Sequence, residues 1–481
     1  MVNQNFAGVG KGWKSRLIVG AIAVLLLVLA VATIGIPAAQ VAEAPDCSTV
    51  TYNGEGTETN PYEVSDIDQL QCIEEQSLDA NYVQVSNIDA SDTSAWNGGD
   101  GFEPIGELNP DGDTEFTGTF DGGGSTITGL TIDRGDEDNV GLFGGNNGHI
   151  TTVGLEDVEI TGGERVGGLV GGNGFGTVED SYATGDVTGD LSVGGLAGQN
   201  FGTVEGSYAT GDVTGDINAG GLVGFHSTGI VKDSYATGTV TGGSNVGGLI
   251  GLNNKEVEAS YSSGDVTGES PVGGLVGANT NEATTGKSYA TGDVEGDSVV
   301  GGLAGQNMGA VTESYSTGAV NYREDDDFAD DDDFGDFDDD VVVESHTTDT
   351  VTGDGDLVGG LIAFNLGSVT DSYWDTEATG QDDSDGGTGL TTSEMTGSAA
   401  PNNMDGFDFK ETWETVTNPD DYPVLVWETE DEPAPPNVVD DYRNEQGDVD
   451  TGGLQDAIGD FIGGDIGTGD LQEVITAFIA N

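Results

Sequence analysis

The side chains that could do chemistry in this sequence recur at a nearly constant spacing. A tyrosine follows a serine in six successive copies, and an aspartate stands four residues after several of these tyrosines. If the copies stack as β-strands, equivalent side chains lie about 5 Å apart. The tyrosines would then form a ladder on one wall, made of Tyr182, Tyr208, Tyr235, Tyr261, Tyr289 and Tyr315.

This tyrosine ladder has two interpretations. A buried ladder supplies the large residues of the core, whereas an exposed ladder offers aromatic rings to sugars or to a partner surface. The residue before the Ser-Tyr pair is variable and is charged in four of the six copies, which indicates that it points outward. Strict alternation would turn the tyrosines outward as well, and a bulge or corner would bury them. The six tyrosines are therefore a candidate ligand strip, with both orientations open.

The repeated aspartates raise the question of carboxylate catalysis. β-Helix glycan hydrolases and lyases use pairs of Asp or Glu on one face of the solenoid. An active site is usually unique rather than iterated, so we interpret these aspartates as turn residues that hydrate an acidic wall. The set consists of Asp186, Asp212, Asp265 and Asp293.

No other constellation typical of an enzyme stands out. His149, His226 and His346 fall in separate copies, and the sequence contains no His-Glu-x-x-His or Gly-x-Ser-x-Gly motif. The many Gly-x-Gly strings lack the βαβ context of a nucleotide site. We predict a protein that is not an enzyme and that has no cofactor.

A Gly-Gly-Leu marker defines the repeat that must position these side chains. Its leucines are separated by steps of 27, 27, 26, 27, 26, 28 and 58 residues, and the last step is one repeat plus an insertion. So short a unit cannot bury a hydrophobic face alone, and the units must stack on one another. The marker leucines are Leu142, Leu169, Leu196, Leu222, Leu249, Leu275, Leu303 and Leu361.

Each unit is predicted to form three short strands separated by Gly and Asn turns. One of these strands is Val-Gly-Gly-Leu-Val-Gly. Stacked units pair their strands in parallel at about 4.8 Å, so eight coils make a rod of roughly 40 Å. The predicted fold class is all-β: a parallel β-solenoid, expected to be a right-handed β-helix, with coils of 26–28 residues.

These repeats resemble a known family. The Gly-Gly-Leu-Val-Gly core, the Asn-x-Gly turn and the Ser-Tyr-x-x-Gly-x-Val segment resemble GLUG-motif repeats. Residues 56–62 resemble the first strand of such proteins, and Trp413 with residues 422–425 resembles their closing strand. The resemblance spans roughly 55–427. It implies the solenoid fold, and it leaves function open because the repeats occur in many surface and secreted proteins, including adhesins and some proteases.

The charge balance excludes several functions and indicates an environment. The chain has 87 acidic and 11 basic residues, for a formal net charge of −76. Nucleic acids and anionic lipid surfaces would repel it. Molar salt shortens the Debye length to about 3 Å and removes most of the self-repulsion. The composition resembles that of secreted proteins of halophilic archaea.

The N-terminal segment 1–44 predicts export. Lys11, Lys14 and Arg16 precede an uncharged apolar run at 17–36, which is long enough to span a bilayer. A small-residue site follows at 42–44, so the segment is either a cleaved signal peptide or a single membrane anchor. Either alternative places the remainder at the cell surface or outside the cell. There, Cys47 and Cys72 can form a disulfide or remain two thiols.

The rest of the chain divides into six predicted parts. The first contains an N-terminal cap, with a helix over Ser65–Ser77, and the first coils. The fifth contains the last repeat and the closing strands. In order, the parts are the cap region 45–135, the GLUG-type repeats 136–319, an acidic insertion 320–352, the segment 353–427, a Pro-rich linker 428–437 and a helical module 438–481.

Two of these parts carry separate hypotheses. The insertion, whose core 324–340 is mostly aspartate with Phe328, Phe334 and Phe337 between, is either an unstructured acidic loop or a segment that binds divalent cations or a partner. The C-terminal module has two amphipathic helical stretches and resembles dockerin-like, EF-hand-type modules. That resemblance implies Asn444, Asp448 and Asp450 as calcium ligands. Tyr442 and Gly453 replace two carboxylates of the pattern, so any calcium site is weak.

Together these observations predict a non-enzymatic solenoid at the cell surface or secreted from the cell, with a structural or adhesive role at high salt. The expected partners are cell-envelope or extracellular polysaccharide, or a surface protein. Two alternatives remain. One is a glycan-active β-helix hydrolase or lyase, and the other is a scaffold that docks a partner through its C-terminal module.

Overall fold

The chain winds through three parallel β-sheets, and each complete coil contributes to all of them. The residues that the computed structural model describes are 43–108, 114–323, 357–415 and 421–429. Equivalent residues of successive coils pair directly, as Val178 does with Val204 and Tyr182 with Tyr208. The predicted all-β parallel solenoid is confirmed. Its right-handed winding stays a prediction.

The three sheets form the three walls of the solenoid. Within the described ranges, sheet 1 has 11 strands: Tyr62–Val64, Asn81–Gln84, Thr119–Asp121, His149–Thr151, Thr177–Glu179, Thr203–Glu205, Ile230–Lys232, Glu256–Glu258, Thr284–Gly286, Ala310–Thr312 and Ser368–Thr370. Sheet 2 has 8: Phe143–Asn146, Val170–Asn173, Ala197–Asn200, Val223–His226, Ile250–Asn253, Val276–Asn279, Ala304–Asn307 and Ile362–Asn365. Sheet 3 has 21: Ile88–Asp89, Thr126–Thr128, Thr131–Arg134, Gly154–Gly162, Glu164–Gly167, Tyr182–Gly194, Tyr208–Ala209, Val213–Gly220, Tyr235–Ala236, Val240–Gly247, Tyr261–Ser262, Val266–Gly268, Val272–Gly273, Tyr289–Ala290, Val294–Gly296, Val300–Gly301, Tyr315–Ser316, Val320–Tyr322, Val358–Gly359, Tyr373–Asp375 and Thr388–Leu390.

The Gly-Gly-Leu marker is a corner rather than part of one strand. Glu164–Gly167 lies in sheet 3 and Val170–Asn173 lies in sheet 2, with the bend between them. The prediction of a single Val-Gly-Gly-Leu-Val-Gly strand is therefore wrong. Glycine is needed at the bend because a Cβ on Gly168 would lie 2.5 Å from the carbonyl oxygen of Gly195 in the next coil.

The core is built from rows of identical or similar apolar residues, one from each coil. The marker leucines from Leu142 to Leu361 are all fully buried, and valines of sheet 1 and sheet 3 line the same interior. Because the strands alternate, every second residue of sheet 1, such as Val178, Val204 and Val231, points inward. Stacking therefore buries the apolar face that a single repeat leaves open.

An interior ladder of amides runs along the ends of the sheet 2 strands. Asn173 donates from Nδ2 to Oδ1 of Asn200 at 2.8 Å, and Asn146 donates in the same way to Asn173 at 2.9 Å. The same side chains also cap the following turn, since Oδ1 of Asn200 accepts the backbone N–H of Gly202. Buried amides satisfied in this way fix the stacking register at little cost in unpaired polar groups.

A cap of short helices packs against the first coils. Leu70 and Ile73 are fully buried in the solenoid core, and the Asp66 carboxylate caps the first helix by accepting the N–H of Gln69. The predicted single helix over Ser65–Ser77 is broken at Cys72 into Ile67–Gln71 and Ile73–Gln76. Cys72 forms a disulfide with Cys47, and their Cα atoms lie 5.4 Å apart.

The remaining helices of the described residues are all short. They are the 3₁₀ helices Cys47–Thr49, Ser91–Gly99 and Gly397–Ala399 and the α-helices Thr392–Met395, Ala400–Asn403 and Val426–Thr429. In this part of the chain no helix combines the length and the apolar character required to cross a membrane. The apolar run 17–36, the acidic segment 324–340 and the module 438–481 with its calcium candidates lie outside the described residues.

Candidate functional site

The tyrosine ladder lies on the outer face of the solenoid, at the corner between sheets 1 and 3. Asp180, just before the first Ser-Tyr pair, adopts a positive φ of 48° and turns the chain. Ser181 then points inward and is fully buried, Tyr182 points outward and is half-buried, and Ala183 is buried again. The corner lies one residue before the serine, so alternation continues undisturbed from the serine to the tyrosine. The tyrosine side chains therefore point outward, as strict alternation predicts.

Buried serines hold this corner in register. The Ser207 hydroxyl accepts the backbone N–H of Ser181 at 3.1 Å, and Ser234 does the same for Ser207 at 3.2 Å. Each hydroxyl also donates within its own coil, as Ser181 does to the Glu179 carbonyl at 2.8 Å. With both functions of each hydroxyl satisfied, the corner repeats without variation and every tyrosine emerges at the same place.

Because the corner repeats, the rings stack face to face. Ring centroids from Tyr182 to Tyr315 are 4.7–5.0 Å apart, and adjacent ring planes differ by only 1–7°. The separation equals the spacing between strands, so the backbone imposes it on the rings. Tyr182 donates its hydroxyl to Glu156 at 2.9 Å at one end of this stack.

A C-terminal strap, residues 391–415 and 421–429, covers much of the ladder. Tyr289 and Tyr315 are only 5% and 1% exposed beneath it, so these two rungs cannot belong to a ligand strip. The Tyr315 hydroxyl donates to the Pro423 carbonyl at 2.6 Å, and the Tyr289 hydroxyl donates to Glu428 at 2.8 Å. Burial raises the pKa of both phenols well above the ordinary value.

The strap and the ladder together form a second hydrophobic core outside the solenoid. Met395, Phe407, Trp413 and Leu425 are buried there against the tyrosines. Trp413–Glu414 and Val424–Leu425 pair as an antiparallel hairpin, with Trp413 opposite Leu425. The predicted closing strand is therefore a hairpin lying on the ladder, and it does not extend any of the three parallel sheets.

The described part of the strap reaches the middle of the ladder at Trp427. Its ring centroid lies 6.3 Å from that of Tyr235 and 6.0 Å from that of Tyr261, tilted by 23–24°. The indole N–H donates to the carbonyl of Ala259 at 3.0 Å. Tyr182 and Tyr208 lie beyond this point, so the half-buried part of the ladder divides into a strapped pair and an outer pair.

Beside Trp427 an open cleft of about 310 Å³ lies between the strap and the solenoid wall. We call it the strap cleft. Lys232, Asp233, Glu258 and Lys287 line it from the wall, and Leu425, Val426 and Trp427 line it from the strap. Lys287 Nζ lies 2.8 Å from Glu258, and Lys232 Nζ lies 3.0 Å from Asp233.

Hydrogen bonding and burial act on the ionisation of this cluster. The hydrogen bond to Asp233 raises the pKa of Lys232, and the hydrogen bond to Glu258 raises the pKa of Lys287. Burial raises the pKa of the Asp233 carboxyl.

The sequence analysis did not predict this cleft. A signal was present in the sequence, because Lys232 is a basic residue in register between Glu205 and Glu258.

The repeated aspartates act on the backbone. Asp212, Asp265 and Asp293 are exposed, and each accepts a main-chain N–H of the next coil at 2.8–3.0 Å. Asp186 is exposed at the same position of its own coil. The first three thus tie adjacent turns together, and this contact matches their interpretation as turn residues.

Among the described residues, the histidines lie far from one another and do not join other potential metal ligands in a cluster. His149 is a half-exposed residue of sheet 1 whose Nε2 lies 3.7 Å from Glu179, whereas His226 is fully buried in the amide ladder. His346 lies outside the described residues. Within those residues, no three His, Cys, Asp or Glu side chains converge as metal ligands would.

The family comparison identifies part of the repeat array. The family model "The GLUG motif" matches residues 162–188, 189–214 and 215–241. This confirms the GLUG resemblance for three successive coils, whereas the resemblance read from the sequence extended over most of the chain.

Two curated proteins are similar to part of this chain. "Halomucin" of Haloquadratum walsbyi is 44% identical over 151 residues, which cover 30% of this chain and 2% of Halomucin. A "Putative Gly-rich membrane protein" of Evansella cellulosilytica is 33% identical over 139 residues, covering 28% of this chain and 15% of that protein. The chain therefore spans only a small part of the length of either relative.

Among solved structures, a "putative immunoglobulin A1 protease" from Bacteroides ovatus aligns over 78% of this chain and 94% of its own length. The alignment has a TM-score of 0.38 and 15% sequence identity, so it carries no argument about activity. The family match therefore assigns GLUG repeats to residues 162–241, and the coils on either side stack on these three in parallel register.

Proposed function

We propose that this protein is a non-enzymatic structural and adhesive solenoid, displayed on the cell surface or secreted, that works at high salt. The observation that carries the proposal is the iterated outer wall. Residues pair one to one from coil to coil, so its exposed side chains form repeated rows along the rod. Such a rod offers the same contact many times, which favours multivalent attachment to a repeating polymer.

Charge and similarity support the same proposal. A formal net charge of −76 disfavours binding to nucleic acids and anionic lipids and is tolerated in molar salt. The matches to Halomucin and to a protein named for a membrane support a location at or outside the cell surface. The partner class that we propose is cell-envelope or extracellular polysaccharide.

The fold is expected to require high salt. Self-repulsion among the unpaired carboxylates acts over about 10 Å at 0.1 M salt and over about 3 Å at 1 M. We therefore expect the urea midpoint of unfolding, followed by circular dichroism, to fall steadily as NaCl is lowered from 3 M to 50 mM. A midpoint that stays constant over this range would contradict the high-salt assignment.

Attachment can be tested by co-sedimentation in 3 M NaCl. The protein should sediment with halophile cells and with insoluble envelope polysaccharide, and a variant lacking the acidic segment 324–340 should sediment equally well. Absence of sedimentation with both materials would contradict the adhesive role. Release of new reducing ends or unsaturated sugars from the polysaccharide would contradict the non-enzymatic assignment.

A further inference from the structure

The strap cleft is lined by an aromatic side chain and by charged side chains. Trp427 is held in place by its contacts with Tyr235 and Tyr261 and by its hydrogen bond to Ala259, and it forms part of the cleft wall. The cleft volume of about 310 Å³ lies at the lower end of the range of small-ligand sites, roughly 300–1,000 Å³.

We propose that the strap cleft binds an uncharged sugar ring of a neutral polysaccharide, with the ring packed against Trp427 and its hydroxyls bonded to Lys287 and Glu258. This site is separate from the tyrosine strip that the sequence suggested. The inference rests on the proposed adhesive function and names the chemical class of its ligand.

Trp427 supplies the stacking contact with the sugar ring. The face of an indole ring is electron-rich and attracts the weakly positive C–H groups of a pyranose ring, while the flat contact removes apolar surface from water. Trp427 needs little further ordering because its indole is already held by the ladder. A preorganised side chain of this kind loses little conformational freedom on binding.

The charged side chains of the cleft supply hydrogen bonds to the sugar hydroxyls. Lys232 and Lys287 are hydrogen-bond donors, whereas Asp233 and Glu258 are acceptors. Their side chains are about one-third exposed, at 36%, 35%, 29% and 29%, so they face both the cleft and each other. Sugar hydroxyls donate and accept in equal measure and can join both kinds of group. A purely apolar ligand would displace water from these charged groups and give no hydrogen bonds in return.

The charges favour a neutral ligand over an acidic or a basic one. Two lysines and three carboxylates, the third being Glu411, line the cleft, so an anion meets excess negative charge. A cation meets lysines that already occupy the nearby carboxylates. In brine the Debye length is about 3 Å or less, so long-range attraction adds little for either sign. Stacking and direct hydrogen bonds persist under these conditions.

The test uses the full-length protein in 3 M NaCl and calorimetric titration with defined hexasaccharides. The neutral probes are cellohexaose, maltohexaose and mannohexaose, and the charged probes are hexagalacturonate and the glucosamine hexamer. Tryptophan fluorescence gives a second readout, because Trp96, Trp374 and Trp413 are buried and only 0–6% exposed, and a Trp427→Phe variant separates the Trp427 emission from that of these three and of Trp13. We expect one or more neutral probes to bind and to change the Trp427 emission.

Four variants locate the site. Trp427→Ala should weaken binding roughly tenfold, which corresponds to 1.4 kcal/mol, while Trp427→Phe keeps an aromatic face and should bind within about threefold of the original protein. Lys287→Ala should weaken binding severalfold, and it tests the site even if loss of Trp427 loosens the strap. Tyr182→Ala, at the outer end of the ladder, is the matched control and should bind normally.

Three results would overturn the inference: binding of none of the neutral probes, binding of charged probes alone, or an equal loss of affinity in Tyr182→Ala. The proposed function fails separately. If co-sedimentation with cells persists while every hexasaccharide fails to bind, the adhesive surface lies elsewhere and only the strap-cleft site is wrong. If hexasaccharides bind but cells do not sediment the protein, the adhesive role is wrong.

Discussion

Replacing Gly168 by alanine is expected to destabilise the solenoid by about 3 kcal/mol, at the upper end of the usual cost of overpacking. The new Cβ would lie 2.5 Å from the carbonyl oxygen of Gly195 and 2.9 Å from the Cβ of Ala183. Real Cβ atoms essentially never approach so closely, and the nearer atom belongs to the backbone of the adjacent coil. The whole coil must therefore shift, because no side chain can rotate away.

The measurement is urea unfolding in 3 M NaCl followed by circular dichroism. Gly135→Ala is the matched control, since Gly135 is exposed and its new Cβ would have only the Thr161 Cγ2 atom nearby, at 3.9 Å. That variant should lie within about 0.5 kcal/mol of the original protein. Equal stability of the two variants would show that the coils do not pack as tightly at the Gly-Gly corner as the geometry requires.

Lowering the pH from 7 to 5 is expected to cost about 2 kcal/mol of stability through His226 alone. This histidine replaces an asparagine in the amide ladder, where its Nδ1 lies 3.1 Å from Asn200 Nδ2 and its Nε2 lies 3.2 Å from the Glu256 carbonyl. An Asn N–H can donate only to an unprotonated Nδ1, so the neutral tautomer with the proton on Nε2 fits. Burial lowers the pKa of His226 from 6.5 to about 4.

The loss of stability at lower pH follows from proton linkage. Between pH 6.5 and pH 4 the unfolded chain binds a proton at His226 that the folded chain does not, so acid favours unfolding. The stabilising effect of a neutral His226 is fully present above pH 6.5 and is lost as the pH falls towards 4. Acidic residues also titrate as the pH falls, so the effect must be isolated by comparison with a variant.

His226→Asn provides that comparison, because asparagine occupies the equivalent positions at Asn200 and Asn253. The difference in unfolding free energy between the two proteins should change by about 2 kcal/mol from pH 7 to pH 5, in favour of the variant. If the difference stays constant with pH, His226 is not held neutral by the ladder.

Much of the fold could be predicted from the sequence because each repeat contains the buried leucine and the Ser-Tyr pair that stack on their equivalents in the next coil. The marker leucines predicted the stacking, and they are indeed buried in rows along the core. The Ser-Tyr pair predicted an aligned ladder, and the rings stack at the strand spacing. The bend at Gly168 was missed, because glycine serves a strand and a corner equally well until the contact with the next coil is known.

The candidate site was harder to predict, for a physical reason. The sequence determined that the tyrosines align, because alignment needs only a constant period and parallel pairing. Which rungs stay accessible was decided by the tertiary structure, where the strap folds back over the ladder. Trp427 bonds to Ala259, a residue 168 positions earlier in the chain, and no local pattern encodes that contact. Large apolar side chains such as Trp413 and Trp427 are stabilised when they are removed from water. The surface against which they pack, the tyrosine ladder, exists only once the solenoid has assembled.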